Sequence, residues 1–233
     1  PLKEYIMKQT NKIKVNDIDN IEPENLSNYL NEEDAYIFVG DYLDRGIQNK
    51  EVLEFIIDIC QMKNVLLLEG NHERNFWYWA NELDSEIKSK EFMLRTVPQI
   101  RDIDPSKMRE LYRKLGQMAY ITFKGNNYFI THAGLNTLPD KVQFISTSQF
   151  IRGVGGFKTP IDGIYTNNTT YVPNTIQIHG HRNIEDETFQ GVLRSFSLED
   201  RVEFGGNLKA AEITEDGIYF HSIKNRGRKN RNT

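Results

Sequence analysis

The chain has 233 residues, of which 38% are hydrophobic and 27% are charged, a composition typical of a folded globular protein. Its net charge of −4 argues against a domain that binds nucleic acid by overall electrostatic attraction. The longest apolar runs, such as residues 65–68, are far too short to cross a bilayer. The single cysteine, Cys60, cannot form an internal disulfide, which fits a cytoplasmic location.

The first third of the chain predicts two helical pieces, at residues 1–14 and 26–30, followed by a βαβ unit. Buried-strand patterns at 35–39 and 65–68 flank a helix at 49–62, whose apolar residues recur every 3.6 positions. A helical crossover makes the two strands parallel. The polar loops after both strands then lie at one edge of the sheet, where open α/β sheets bind ligands.

Residues 74–115 are predicted to be mostly helical, with breaks at Pro98 and Pro105. This region carries an aromatic run at residues 76–79. Two interpretations of the run stay open: hydrophobic packing of a helical cap, or an aromatic wall that stacks against a substrate.

The second half of the chain is predicted to be rich in strands, at 119–123, 128–131, 175–178, 210–214 and 217–223. Glu215-Asp216-Gly217 predicts a tight turn that joins the last two strands as a hairpin, and His221 in the final strand is predicted to be structural. We therefore expect one domain over residues 1–223, of α/β class leaning towards α+β.

A basic tail is predicted at residues 224–233, where five cationic residues lie close together: Lys224, Arg226, Arg228, Lys229 and Arg231. The tail is either a solvated extension or a contact for nucleic-acid phosphates.

Polar, chemically reactive side chains cluster at the ends of the predicted strands. Four of the five histidines lie at such strand-to-loop junctions, beside aspartate, asparagine and glycine, which packing alone does not explain. The segments are Gly40-Asp41-Tyr42-Leu43-Asp44-Arg45-Gly46, Gly70-Asn71-His72-Glu73, Thr131-His132-Ala133-Gly134 and His179-Gly180-His181-Arg182.

These residue types indicate a catalytic metal site. The segments contain no cysteine, so a thiolate zinc site is excluded, whereas mixed carboxylate, amide and imidazole ligands suit manganese, iron or zinc. Two cations about 3.5–4 Å apart would need a bridging carboxylate and would activate a water molecule between them. Arg45 offers a planar, bidentate grip on a phosphate group.

In this order, the motifs resemble those of the calcineurin-like metallophosphoesterase superfamily. The closest branch holds serine/threonine protein phosphatases, phage-type phosphatases, diadenosine tetraphosphate hydrolases and bacterial RNA-repair phosphatase modules. Residues 197–208, which include Gly205-Gly206-Asn207-Leu208, look like the C-terminal segment of that branch. The resemblance implies a two-sheet β-sandwich flanked by helices and two divalent metal ions, manganese foremost, with iron or zinc as alternatives.

The resemblance also implies roles for individual residues. Asp41 would bridge both metals, and Asn71, His132 and His181 would hold the second one. His72 would be the general acid for the leaving oxygen, oriented by Asp44.

Further roles concern residues around these motifs. Arg45 would bind the phosphoryl group, and Arg152 matches the place of a second phosphate-binding arginine or is an ordinary surface residue. His179 is predicted to be structural or to support a ligand, with direct ligation as the alternative. Glu73 is predicted to brace its loop.

One expected motif is absent from the sequence. The superfamily's first motif, Gly-Asp-x-His-Gly, supplies ligands to the first metal, and no such segment precedes Asp41. We therefore expect the natural protein to have about 10–20 further N-terminal residues that include the first strand. The segment without this motif is expected to bind one metal poorly and to be weakly active or inactive.

Two functions remain in competition at this point. The first is a phosphatase that hydrolyses phosphate esters by in-line attack of a metal-activated water, on a phosphoprotein, a dinucleoside polyphosphate or a nucleic-acid-end phosphate. The second is a non-catalytic phosphate- or nucleotide-binding module that has lost the first metal motif. Neither function requires a membrane.

Overall fold

A computed structural model of the chain describes residues 30–168, 174–182 and 192–225. The predicted helix at 1–14, most of the helical piece at 26–30, the expected first strand and the tail after Asn225 lie outside these ranges. Among the helices that are described, none is both long enough and apolar enough to cross a membrane.

The predicted βαβ unit is present. Strand β1 (Tyr36–Phe38) and strand β2 (Val65–Leu67) pair in parallel, and helix α1 (Asn49–Ile59) connects them. The helix turns its apolar face inwards, so that Leu53 and Ile56 are fully buried. Burying each such side chain stabilises the fold by about 1.5–3 kcal/mol, which explains why the 3.6-residue pattern predicted this helix.

The region after β2 is helical, as predicted, and the two prolines lie at helix starts. Pro98 lies in the first turn of a short helix, and Pro105 opens the next helix, where the Asp104 side chain caps the amide of Ser106. The helices are α2 (Glu73–Ala80), a 3₁₀ turn (Asp84–Glu86), a π-helical turn (Phe92–Thr96), α3 (Val97–Ile100) and α4 (Pro105–Lys114).

The aromatic run of α2 packs on α4. Phe76 is fully buried and meets Tyr112 edge-on at 5.8 Å between ring centroids. Trp77 stacks on the same Tyr112 ring at 4.8 Å between centroids, and the Arg113 guanidinium lies over the Trp77 ring. These contacts support the packing interpretation of the run.

The second half contains a four-stranded sheet, a hairpin and two short helices. The sheet has the order β3-β4-β5-β6; its first pair is antiparallel and the other two pairs are parallel. The strands are β3 (Met118–Phe123), β4 (Asn126–Thr131), β5 (Thr175–His179) and β6 (Ser195–Ser197). Helices α5 (Thr147–Arg152) and α6 (Ile161–Asn168) lie between β4 and β5 in the chain. The sequence predicted neither these helices nor β6.

The chain ends its described part in the predicted hairpin. Strands β7 (Asn207–Thr214) and β8 (Gly217–Lys224) pair in antiparallel register. His221 lies 2.7 Å from Glu212 across this pair, on the outside of the hairpin.

One apolar cluster joins the three sheets. It contains Leu68 after β2, Tyr128 and Ile130 of β4, and partly buried residues of the hairpin such as Ile213. A bridge between Leu68 and Gly116 also carries the edge of the β1–β2 pair towards β3. The structure therefore confirms the predicted mixed α/β class, with helices and sheets packed around common cores.

Candidate functional site

The candidate residues meet where β1, β2, β4 and β5 end. The loop after β5 is tied to the loop after β4 by a hydrogen bond from the Gly180 amide to the His132 carbonyl, at 2.7 Å. A cleft of about 190 Å³ opens above these loops. Among the residues that line it are Asp41, Asp44, Arg45, His72, His132, His181, Glu199, Asp200 and Glu203.

Three of the four predicted metal ligands form one cluster. Donor atoms of Asp41, His132 and His181 all lie within 4.8 Å of one another. Asn71, the fourth, places its amide oxygen 3.3 Å from Nε2 of His132. Ligands bound at about 2.0–2.2 Å from one cation are at most roughly 4.4 Å apart, so the cluster is close to the spacing of a metal site.

A hydrogen bond orients His132 towards this cluster, and the surroundings of His181 keep that imidazole neutral. Nδ1 of His132 donates to the Val39 carbonyl at 2.6 Å, which turns Nε2 towards Asp41 and Asn71. Burial, together with the neighbouring charge of His132, lowers the pKa of His181 to about 4. His181 is therefore neutral at pH 7 and able to ligate a metal.

The electrostatics of the cluster favour a cation. Burial by itself would lower the pKa of His132, but the Asp41 carboxylate 3.3 Å away raises it to about 9. Burial acts in the opposite direction on Asp41, yet His132 and His72 hold the pKa of its carboxyl well below the usual range. The carboxylate and the imidazole together hold a proton strongly, and the same pair of donors also suits a divalent metal ion.

Glycines and one buried glutamate hold the first two loops together. A Cβ atom on Gly70 would lie 2.4 Å from Oδ1 of Asp41, so only glycine fits between these loops. Glu73 is fully buried and accepts hydrogen bonds from the amides of Gly70, Asp41 and Tyr42 at 2.6–2.9 Å. The structure thus places Glu73 as the brace that the sequence predicted.

His72 and Asp44 form the predicted pair. Oδ2 of Asp44 lies 2.6 Å from Nδ1 of His72, and Oδ1 accepts from the Thr96 hydroxyl at 2.5 Å. Burial lowers the pKa of His72, but the bond to Asp44 and the negative charges of Asp41 and Asp44 together outweigh it, so the net shift is upward. Nε2 of His72 faces Asp41 at 3.9 Å, on the side of the metal cluster.

The two predicted phosphate-binding arginines differ in position. Arg45 lines the cleft, and its guanidinium forms an ion pair with Glu203 at 2.7 Å. Arg152 is exposed at the end of α5 and is not among the residues that line the cleft. A substrate contact for Arg152 stays a prediction.

His179 belongs to a buried polar network beside the cluster. Its ring bonds Asp162 at 2.9 Å on one side and the Gly180 carbonyl at 2.8 Å on the other. Ser195 of β6 donates to the same Asp162 carboxylate. Both ring nitrogens are therefore engaged within the protein, and His179 supports the loop that carries His181.

Sequence reasoning missed four residues around the site: Thr96, Phe157, Asp162 and Glu203. Thr96 and Glu203 reach their partners across 52 and 158 positions of sequence. Phe157 is 53% exposed and meets the His181 ring edge-on at 5.9 Å. No local spacing signal points to any of these contacts.

An α/β fold that gathers carboxylate, amide and imidazole donors beside an arginine at strand ends is typical of metal-dependent hydrolases that act on phosphate esters. The family model of the calcineurin-like phosphoesterases matches residues 16–203, and the chain belongs to this family. It is accordingly a hydrolase of the phosphatase type.

Two sequence relatives have the same name, bis(5′-nucleosyl)-tetraphosphatase PrpE (asymmetrical). The protein of Halalkalibacterium halodurans is 24% identical over 199 residues, which cover 81% of this chain and 78% of the relative. That of Geobacillus thermodenitrificans is 23% identical over 189 residues, covering 76% and 75%.

Solved structures show the same fold at lower identity. A crystal structure provisionally assigned as a diadenosine tetraphosphatase has a TM-score of 0.56 and 16% identity, and the match covers 88% of this chain and 86% of that one. Hypothetical protein PH1004 from Pyrococcus horikoshii OT3 has a TM-score of 0.54 and 12% identity, with coverage of 82% and 75%.

Proposed function

We propose that the protein hydrolyses phosphate esters with a divalent metal held by Asp41, Asn71, His132 and His181. The observation that carries this proposal is the convergence of the Asp41–His132–His181 cluster with Arg45 and His72 in one cleft. Manganese is the first cation to test, followed by iron and zinc. Two bound metals form part of the proposal, although Asp41, His132 and His181 are the one such cluster among the described residues.

The metal, Arg45 and His72 each have a separate role in the proposed reaction. The metal supplies Lewis-acid polarisation of a phosphoryl oxygen and lowers the pKa of a bound water. Arg45 binds phosphoryl oxygens through its planar guanidinium. His72 donates a proton from Nε2 to the leaving oxygen, because its Nδ1 is held by Asp44.

Among the candidate substrates we favour a dinucleoside polyphosphate. The two named relatives are asymmetrical bis(5′-nucleosyl)-tetraphosphatases. Phe157 also exposes an aromatic ring beside His181. A nucleobase stacked on such a ring would gain about 1–3 kcal/mol. Phosphoproteins and nucleic-acid-end phosphates are the other candidates.

A substrate panel tests the proposal. We expect manganese-dependent hydrolysis with the highest kcat/KM on diadenosine tetraphosphate. The comparison set contains p-nitrophenyl phosphate, bis(p-nitrophenyl) phosphate, a phosphopeptide and a 3′-phosphorylated oligonucleotide. A higher kcat/KM on the phosphopeptide or the oligonucleotide would overturn the substrate choice and leave the phosphoesterase assignment intact.

Removal of a proposed ligand tests the metal site in the same assay. Asp41→Asn should lower manganese-dependent kcat/KM by at least about 100-fold, because the substitution removes the carboxylate charge from the cluster. Asp58→Asn is the matched control, since Asp58 is exposed on α1 and does not line the cleft. Equal rates for these two variants, or no turnover of any substrate by the natural full-length protein with manganese, would contradict the proposal.

A further inference from the structure

Glu203 forms an ion pair with Arg45, whose guanidinium is the group proposed to bind phosphate. The Arg45 guanidinium lies 2.7 Å from Oε1 of Glu203, with the two side chains 41% and 17% exposed. A carboxylate and a phosphoryl group make the same kind of charge-assisted hydrogen bond to a guanidinium. The same NH1 group of Arg45 therefore cannot be fully engaged by both.

Glu203 stands on a turn whose backbone is held at several points. Its 3₁₀ turn (Val202–Phe204) is flanked by Arg201 and Gly205, both with left-handed φ angles of 49° and 95°. Asn225, which directly follows the hairpin, donates a side-chain hydrogen bond of 2.8 Å to the Val202 carbonyl. Just after the turn, the backbone of Gly206 packs closely against the Asp200 carbonyl, so that a Cβ atom on Gly206 would collide with it.

Arg45 stands on an equally constrained loop. Asp44 and Arg45 both have left-handed backbone angles, with φ of 79° and 58°. The Asn49 side chain accepts from the Asp44 amide at 2.9 Å and donates to the Gly46 carbonyl at 3.1 Å. Both partners of the ion pair are therefore positioned by their backbones.

The segment around Glu203 also makes one wall of the cleft acidic. Glu199 and Asp200 line the cleft together with Glu203. Burial raises the pKa of Glu199, and the negative charges of Glu203 and Asp41 act in the same direction. An incoming phosphate group thus meets three carboxylates on this wall, of which Asp200 lies 4.0 Å from Lys209 and Glu203 is bound to Arg45.

We propose that Glu203 competes with the substrate's phosphoryl group for Arg45 and so determines which phosphate esters the cleft accepts. This inference rests on the proposed function. A terminal phosphate or a polyphosphate carries enough negative charge to displace a single carboxylate, whereas a monoanionic diester displaces it less readily. Glu203 therefore acts as a specificity-determining residue.

Calorimetric binding of inorganic phosphate to the manganese-loaded full chain tests the competition. Glu203→Gln removes the competing charge and should tighten phosphate binding about two- to fivefold, the range expected for a partly exposed ion pair. The gain should vanish when Glu203→Gln is combined with Arg45→Ala and compared with Arg45→Ala alone. A gain of the same size in both backgrounds would show a general loosening of the cleft and would overturn the proposal.

Two control variants separate competition from bulk charge. Glu199→Gln removes a negative charge from the same cleft, and Glu212→Gln removes one from the outside of the hairpin, where Glu212 pairs with His221. Neither should match the gain of Glu203→Gln.

Different outcomes of this experiment would contradict the competition by Glu203 and the proposed phosphoesterase function. Unchanged or weaker phosphate binding by Glu203→Gln, or an equal gain in Glu199→Gln, would overturn the competition alone. A manganese-loaded wild type that binds no phosphate would overturn the proposed phosphoesterase site, and the competition with it.

Discussion

At the scale of single residues, Asp44 shows how the site fixes one orientation of its proposed general acid. Its side chain is 2% exposed and is bonded at one oxygen by Thr96 and at the other by His72. With Nδ1 of His72 engaged in this way, Nε2 is the nitrogen that faces the cleft. Asp44 is therefore a positioning residue, and His72 is the group proposed to touch the leaving oxygen.

Leaving-group dependence tests this division of roles. His72→Asn should lower kcat by about 10²–10⁴-fold on phenyl phosphate, because its phenolate leaving group is poor and needs a proton. The loss on p-nitrophenyl phosphate should be much smaller, because p-nitrophenolate departs without one. Asp44→Asn should show the same pattern with a smaller loss and little change in KM. Equal losses on both substrates would contradict the assignment of His72 as general acid.

At the scale of elements, short irregular segments place the site more than the regular helices and strands do. The π-helical turn (Phe92–Thr96) brings Thr96 to Asp44, and such turns are frequent at functional sites. The loops after β1 and β2 pack so closely that they leave no room for a Cβ atom on Gly70 beside Asp41. The metal cluster therefore depends on the fit between these two loops.

Two alanine substitutions test this dependence on loop packing. Gly70→Ala should destabilise the protein by about 1–3 kcal/mol and impair metal binding, because the new Cβ would lie 2.5 Å from the Asp41 amide nitrogen. Gly116→Ala is the matched control: its Cβ would meet neighbours at 3.5–3.8 Å, and its effect should stay within about 0.5 kcal/mol. Urea unfolding and manganese titration measure both effects, and similar losses in the two variants would refute the argument.

At the scale of the whole molecule, the proposed metal links parts of the chain that are distant in sequence. Asp41 follows β1, Asn71 follows β2, His132 follows β4 and His181 follows β5. An ion bound by these groups binds the folded chain and not the unfolded one. Binding should therefore raise the stability of the entire domain.

Thermal unfolding measures this linkage. At a free manganese concentration about 100-fold above its Kd, stability should rise by about 2.7 kcal/mol and the Tm by about 5–10 °C. His132→Ala should abolish the manganese-induced shift, whereas His221→Ala should keep it, because His221 lies outside the cleft. A full shift in His132→Ala would show that the stabilising ion binds elsewhere.

The sequence alone was sufficient for the family, the βαβ unit and the choice of candidate residues. These depend on local patterns: a short apolar strand followed at once by Gly40-Asp41 or Gly70-Asn71 indicates a functional loop without knowledge of distant contacts. The sequence did not predict strand β6 or the helices α5 and α6, which span only three, six and eight residues.

Tertiary structure decided which partner each reactive side chain has. The fold determines that Arg45 is bound to Glu203, that His179 is held by Asp162, and that the aromatic run of α2 packs on α4. The physical reason is that residue types and spacing report the local chemistry of a loop, whereas an ion pair across 158 positions exists only after the chain has folded.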